Sequence, residues 1–560
     1  MFCLPRFNSL VKSRYICKCL TPRLGFKLST NTRASMMMKE STSSITPYFL
    51  TTPIYYVNGD PHLGHAYTSV AADVIARFLR NDGRKLFFAT GTDEHGQKVQ
   101  KSAEAAGIET KEFVDVNSAK FLRLVNILNC SHNDFIRTTD SRHKDAVSFL
   151  WNKLVEKGQI YLGAYEGWYS IRDEAFYSET ELIDGKAPTG ADVEWVKEES
   201  YFFRLSEWTK PLLDFYEENP DFLGPSGRRN EVISFVSQEG GLRDLSVSRT
   251  TFTWGVPVPH DPKHVVYVWL DALANYLSVL GYPNEQSENF SRFWPPDLHI
   301  VGKDILRFHA VYWLAFLLAA GLPPPKRVFA HGWWTKDGEK MSKSLGNVLD
   351  PVALIDKYGV DYVRYYLSAE IPFGNDGDFS IENFISRINS NLANDFGNLA
   401  QRALVFVYKN CDGKVPAHGE FTTDDLDILR AATDAFDIAR GHVERQEIHK
   451  LCECAIHVAR LGNKYIDTHA PWTLKKTDVG RMCTVLYVLV EVIRKTAILL
   501  EPVMPTACAR LLDLLGVEGH LRTFASAADR IPVGTAIREP SPVFPKIDTK
   551  PKPSPASTVL

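Results

Sequence analysis

From Pro47 onward the chain alternates short apolar runs with amphipathic stretches. Residues 48–57 read as a buried strand. Residues 63–81 read as a helix, with Val70, Val74, Phe78 and Leu79 at helical spacing. A second strand over 86–90 and a second helix over 97–106 follow. This βαβ rhythm predicts a parallel sheet with helices on its faces, and such sheets bind ligands at the carboxyl ends of their strands. Over about 130–240 the texture changes to aromatic-rich alternating runs, as at 161–177 and 195–205, which predict an inserted α+β subdomain. The βα rhythm is expected to return at 245–249, 265–269, 298–302 and 327–334. From Pro351 to about Leu515 apolar residues recur at spacings of three and four, predicting an all-helical region, and from about 530 a Pro-, Ser- and Lys-rich stretch reads as a loose tail. The most apolar run, 311–321, is shorter than the ~18 residues of a membrane span and reads as a buried helix, so no membrane association is expected.

Charge adds a boundary. The net formal charge is −3, but residues 1–39 hold eight basic side chains and no acidic one. Without them, 56 basic face 67 acidic side chains, a net −11, so any nucleic-acid binding has to use local patches. Residues 1–45, rich in Arg, Lys, Ser and Thr and lacking a continuous apolar centre, have the composition of a mitochondrial transit peptide. A plastid address or a disordered basic tail has similar composition. The nine cysteines include no CxxC pair and suggest a reducing compartment, with Cys452 and Cys454 read as ordinary helix residues.

Two segments carry chemistry. Pro61-His62-Leu63-Gly64-His65 sits where the first strand ends and the first helix begins. A helix N-terminus presents unpaired amides that favour anions, Gly64 allows a flat base or ribose near the backbone, and two histidines three apart share a face. A metal pair or two structural histidines is the alternative. Lys340-Met341-Ser342-Lys343-Ser344 follows the 327–334 strand between Gly338 and Gly346, and its lysines can neutralise a polyphosphate or form a solvated face.

Together, in this order and position, the two segments resemble the paired motifs of class I aminoacyl-tRNA synthetases. Thr51–Asp60 before the histidines, Gly91-Thr92-Asp93-Glu94-His95-Gly96, Tyr267-Val268-Trp269-Leu270-Asp271-Ala272 and Gly302-Lys303-Asp304-Ile305 resemble the methionyl-tRNA synthetases. The resemblance runs from about Tyr48 to about Leu515. It implies a Rossmann-like catalytic domain over 46–370 with the insertion at about 130–240, an α-helical anticodon-binding domain over 371–520, and flexible ends at 1–45 and 521–560. It implies a methionine pocket of Ile54, Tyr56, Trp269, Tyr276, His309 and Trp313, with Asp93 holding the substrate ammonium. It implies an ATP site of His62, Leu63, Gly64, His65, Lys340, Met341, Ser342, Lys343 and Ser344. Of these, His62, Gly64, His65, Lys340 and Lys343 are catalytic, and Mg²⁺ accompanies ATP as substrate. Asn398, Arg402 and Trp472 match the family's anticodon readers; the resemblance as a whole implies L-methionine, ATP and tRNA(Met) as partners, and the leader implies the mitochondrial matrix. Arg249 matches a family arginine near the active site, its role left open.

Two departures stand out. Leu273 occupies a place where the family commonly has proline. The 168–174 stretch lacks the cysteines that hold zinc in many members, so no structural zinc is expected, and a monomer is expected because no appended dimerisation domain follows Leu515. A leucine, isoleucine or valine synthetase would need a larger editing insertion, and a cysteine enzyme would need a metal site. An RNA-binding pseudo-enzyme would lack the His and Lys pairs, and a small nucleotidylyltransferase would lack the long helical region.

Overall fold

The computed structural model describes residues 46–548 apart from 174, 178, 337 and 342–348, with backbone alone at 165, 166, 175, 176, 180, 197, 198 and 340. Among the described residues, six strands form one parallel sheet: β1 (Tyr48–Tyr56), β2 (Leu86–Asp93), β3 (Asp134–Arg137), β4 (Leu223–Gly224), β5 (Leu298–Gly302) and β6 (Val328–His331). Their spatial order is β3-β2-β1-β5-β6-β4. Leu50 of β1 lies opposite Phe88 on one side and Leu298 on the other. Both faces of β1 and β2 are covered, which is why these strands read as continuous apolar runs rather than alternating ones. The strand order reverses between β1 and β5, and the crevice beyond their carboxyl ends is where such a sheet takes its ligand.

Residues 245–249 and 265–269, expected to resume the parallel sheet, do not. Leu245–Ser246 joins the antiparallel sheet of the insertion, and Ser248–Arg249 pairs antiparallel with Val265–Val266. Two-residue strands offer too few positions for a period to register. Conversely β3 and β4, inside the stretch read as an insertion, belong to the parallel sheet. The insertion's own sheet centres on the long hairpin of Ile160–Ser170 against Glu194–Phe203. The apolar run at 311–321 is helical as expected, with a π-helical turn at Phe308–Trp313 feeding the α-helix Leu314–Ala320.

Helix α1 (Leu63–Asn81) covers the sheet and packs on α2 (Val360–Ala369), where the helical region begins. Beyond it, α3 (Asn398–Asn410), α4 (Thr423–Glu444), α5 (Ile448–His469) and α6 (Val479–Leu500) pack together. From Thr484 to its end α6 is buried on every side, so it forms the axis of this bundle. The junction with the sheet is pinned by Arg364 of α2, which is fully buried. Its guanidinium meets Asp73 of α1 at 2.7 Å and donates to the carbonyls of Leu128, Pro502 and Val503 at 2.8–2.9 Å.

The stretch expected as a loose tail is packed as far as residue 548. Ile531, Ile537 and Phe544 are buried, and Phe544 meets Phe396 with ring centroids 5.3 Å apart. The Ile547 amide donates to Asn389 Oδ1 at 2.7 Å, and Tyr362 donates to the Pro545 carbonyl at 2.7 Å. Overall composition hides this, because a few well-spaced apolar anchors suffice to dock a proline-rich strap. The remaining leader and tail residues, 1–45 and 549–560, lie outside the described residues.

Candidate active site

A cavity of about 530 Å³ opens at the carboxyl ends of β1, β2, β5 and β6. His62 is the N-cap of α1. Its Nδ1 accepts from the Gly64 amide at 3.1 Å, and His65 Nδ1 accepts from the His62 amide at 3.1 Å. The two rings stack 3.8 Å apart. With each Nδ1 accepting, the ring proton of a neutral imidazole sits on Nε2, a donor on the far side of the ring. Burial, with His62 as neighbour, holds His65 well below the ordinary imidazole range, so it is neutral at physiological pH. Gly64 has a reason the sequence did not show: a Cβ there would stand 2.9 Å from His62 Cε1, so the capping ring itself excludes a side chain.

Next to this pair lies His331 at the end of β6. Its Nδ1 is 2.8 Å from the Gly332 carbonyl and its Nε2 is 2.8 Å from the Thr68 hydroxyl of α1. Burial lowers its pKa, so Nδ1 donates and Nε2 accepts from Thr68. Neither Thr68 nor His331 was anticipated, because a threonine inside a helix and a histidine inside a strand have no local signature. Met341 lines the cavity, while Ser342, Lys343 and Ser344 lie outside the described residues and Lys340 is described by its backbone, paired with Thr335.

The opposite end is aromatic. Ile54, Tyr56, Trp269, Tyr276 and His309 line it, with Asp93 at the end of β2. His309 Nδ1 donates to the Ile305 carbonyl at 3.0 Å, so its Nε2 accepts from the Tyr276 hydroxyl at 2.7 Å. Burial takes His309 down to about 4, which keeps that acceptor unprotonated. Trp313 does not reach the cavity as expected. It stands one layer behind, against the Tyr276 ring, with its indole N–H donating to His299 Nε2 at 3.3 Å. His299 in turn meets the Thr51 hydroxyl at 2.7 Å, so the wall is braced from β1 and β5. Trp313 is placed in the pocket by the family resemblance, and here, at the end of the π-helical stretch Phe308–Trp313, it backs the pocket wall instead of lining it. Phe308, also unanticipated, stacks on Trp269 at 3.6 Å. Leu273 lines the cavity directly.

Behind Asp93 the next residue, Glu94, is fully buried and takes a bidentate grip from Arg137 at 2.6 and 2.8 Å, with Thr92 and Thr139 hydroxyls donating to it. Asp271 is also fully buried. Burial alone would raise its carboxyl, but the imidazoles of His95 and His143 outweigh this and hold it at about 2. Arg249 lies away from the cavity lining, its guanidinium 4.2 Å over the Tyr267 ring and donating to Ser246 Oγ. Among the described residues no group of three His, Cys, Asp or Glu is spaced to hold a metal ion. Nor is any helix among them long and apolar enough to cross a membrane.

Far from the cavity, in the helical bundle, Asn398 and Arg402 lie one turn apart on α3. Arg402 sits 5.5 Å over the ring of Trp472, which is 44% exposed, and is paired with Asp467 at 2.6 Å. At that exposure Trp472 is a surface side chain and not a member of the bundle core.

Comparison with known proteins agrees with this geometry. A family described as class I tRNA synthetases (M) matches residues 48–194 and 178–404, and one described as the anticodon binding domain of methionyl tRNA ligase matches 415–554. The methionine–tRNA ligase of Rickettsia felis is 56% identical over 507 residues, 90% of this chain and 98% of the relative. That of Rhizobium meliloti is 53% identical over 508 residues, again 90% and 98%. The structure of Mycobacterium tuberculosis methionyl-tRNA synthetase in complex with methionyl-adenylate matches with a TM-score of 0.87 at 51% identity, covering 89% of this chain and 100% of that one. The chain therefore belongs to the class I methionyl-tRNA synthetases, the methionine–tRNA ligases.

Proposed function

We propose that the cavity between β1 and β5 joins L-methionine to ATP and then passes the methionyl group to tRNA(Met), with residue roles as follows. The observation that carries this is the meeting, in one cavity, of the His62–His65 helix start, Asp93 and the aromatic end formed by Trp269, Tyr276 and His309. The thioether lies against Trp269 and Tyr276, where aromatic contact with sulfur contributes about 0.3–1.5 kcal/mol. Asp93 receives the ammonium. This places the carboxylate toward α1, where it attacks the α-phosphorus of Mg²⁺-bound ATP in line, forming methionyl-adenylate and releasing pyrophosphate. The Nε2 donors of His62 and His65 and the amides at the start of α1 take the charge on the phosphate oxygens, and Lys340 and Lys343 follow the charge that builds on the departing pyrophosphate. The 2′-hydroxyl of the terminal adenosine of tRNA then attacks the adenylate carbonyl and AMP leaves. ATP–pyrophosphate exchange with each of the twenty amino acids should respond to methionine alone, and a response led by another amino acid would discard the pocket assignment.

Asn398, Arg402 and Trp472 read the anticodon, the indole by stacking on an unpaired base. Loss of one such stack costs about 1–3 kcal/mol. Trp472→Ala should therefore lower kcat/KM for tRNA charging by about ten- to a hundredfold and leave methionine-dependent exchange unchanged. Equal loss in both assays contradicts the role.

In this reading residues 46–370 are the catalytic part, and the anticodon-binding part runs from 371 to at least 548, in a chain that acts as a monomer without zinc. Residues 1–45 are a mitochondrial address, supported by eight basic and no acidic side chains in the first 39. Fused to a fluorescent reporter they should direct it to the mitochondrial matrix, and a diffuse cytosolic signal sinks that part alone.

A further inference from the structure

Four side chains behind the methionine end form one buried line. His95 Nδ1 lies 2.7 Å from one oxygen of Asp271, and His143 Nε2 lies 2.7 Å from the other. His143 Nδ1 lies 3.0 Å from Ser278 Oγ. All four are at most 2% exposed, and none lines the cavity. Yet three of them stand two residues beyond a group that does: His95 after Asp93, Asp271 after Trp269, and Ser278 after Tyr276. These three come from separate segments, the turn after β2, the helix Val268–Leu273 and the helix Asn275–Ser278. His143, from the helix Ser141–Glu156, bridges the last two.

We propose that the His95–Asp271–His143–Ser278 line is a positioning device that sets the distance between the carboxylate meeting the substrate ammonium and the aromatic groups meeting its thioether. The proposal rests on the roles given above to Asp93, Trp269 and Tyr276. Its chemistry is that of a double acceptor: each carboxylate oxygen of Asp271 takes one imidazole N–H, so two segments are held to one planar group. An amide in its place offers one oxygen and one NH₂, so one of the two histidines must change tautomer or lose its contact, and the carboxylate charge that both N–H groups met is gone. The hold on that segment is weakened while shape and volume stay nearly the same. Because the two ends of methionine are gripped from different segments, a small relative shift spoils both contacts at once. ATP, gripped from α1, is unaffected.

The test is steady-state ATP–pyrophosphate exchange on the full chain, with active-site titration to count competent sites. Asp271→Asn should raise the KM for methionine by up to about a hundredfold, the penalty for a misplacement of order 1 Å. The KM for ATP should stay within about twofold. Ser278→Ala, a mild change that keeps the fold if Asp271→Asn does not, should raise the methionine KM by up to about tenfold, as for one lost hydrogen bond. A plain loss of competent sites with both KM values unchanged, or a parallel rise in both, assigns the line to general stability and overturns the proposal. Asp93→Asn is measured alongside. If it leaves the methionine KM unchanged, the ammonium assignment itself fails. If it raises that KM while Asp271→Asn and Ser278→Ala do not, the positioning device alone fails.

Discussion

Replacing Asp93 with alanine should lower kcat/KM for methionine in ATP–pyrophosphate exchange by two to three and a half orders of magnitude. The carboxylate is 8% exposed at the end of β2 and lines the cavity. With it gone, the ammonium enters a largely enclosed aromatic site without a counter-charge. Removing one partner of a buried pair costs about 3–5 kcal/mol, because the remaining charge is left uncompensated. The same argument predicts that the variant loses its preference for methionine over an analogue lacking the amine, since that preference comes from the pair. A change of less than threefold in kcat/KM would place the ammonium elsewhere.

The second large effect is on stability. Arg364→Met should destabilise the protein by about 3–5 kcal/mol, seen as a lower urea midpoint and melting temperature. The guanidinium is fully buried, and its loss leaves Asp73 with Arg77 at 2.8 Å and the Ser131 amide and hydroxyl, while three carbonyls lose their donor. The pH dependence has a fixed sign. Burial would raise the Asp73 carboxyl, but Arg364 and Arg77 outweigh it and hold it below the usual range. Its contribution is therefore present above the unfolded value of about 3.9 and is lost as pH falls through the lower folded value. The variant should lose its stability advantage at higher pH than the wild type does. Unchanged melting would mean that the junction between sheet and bundle relaxes around the missing group.

The strand-to-helix pattern makes the helix start at His62 legible, whereas Asp93 and the aromatic end of the cavity are legible only through the resemblance of their segments to methionyl-tRNA synthetase motifs. What lay hidden were partners brought from far along the chain. His331 reaches Thr68 across 263 residues, and His143 reaches Asp271 across 128. Neither histidine has a neighbour in sequence that marks it. Trp313 backs the Tyr276 ring instead of lining the cavity, a one-layer difference that a motif resemblance does not resolve. The strap, described to residue 548, reads as a loose tail for another reason, since its few buried anchors are diluted by proline, serine and charge. The exchange of β3 and β4 between insertion and sheet follows from their length, four and two residues.

The pairing of Arg402 with Asp467 has a consequence for how RNA is sorted. A free guanidinium attracts any phosphate, and each phosphate it neutralises releases condensed counterions, which makes binding steep in salt and blind to sequence. Arg402 is already neutralised within the protein, on a body of net negative charge, so a passing polyanion gains little from it. Entry is rewarded when bases stack and hydrogen-bond, with Asp467 as the anion to be displaced. The dependence of tRNA affinity on salt should therefore steepen by up to about one unit of log–log slope, one phosphate contact, when Asp467 is replaced by asparagine.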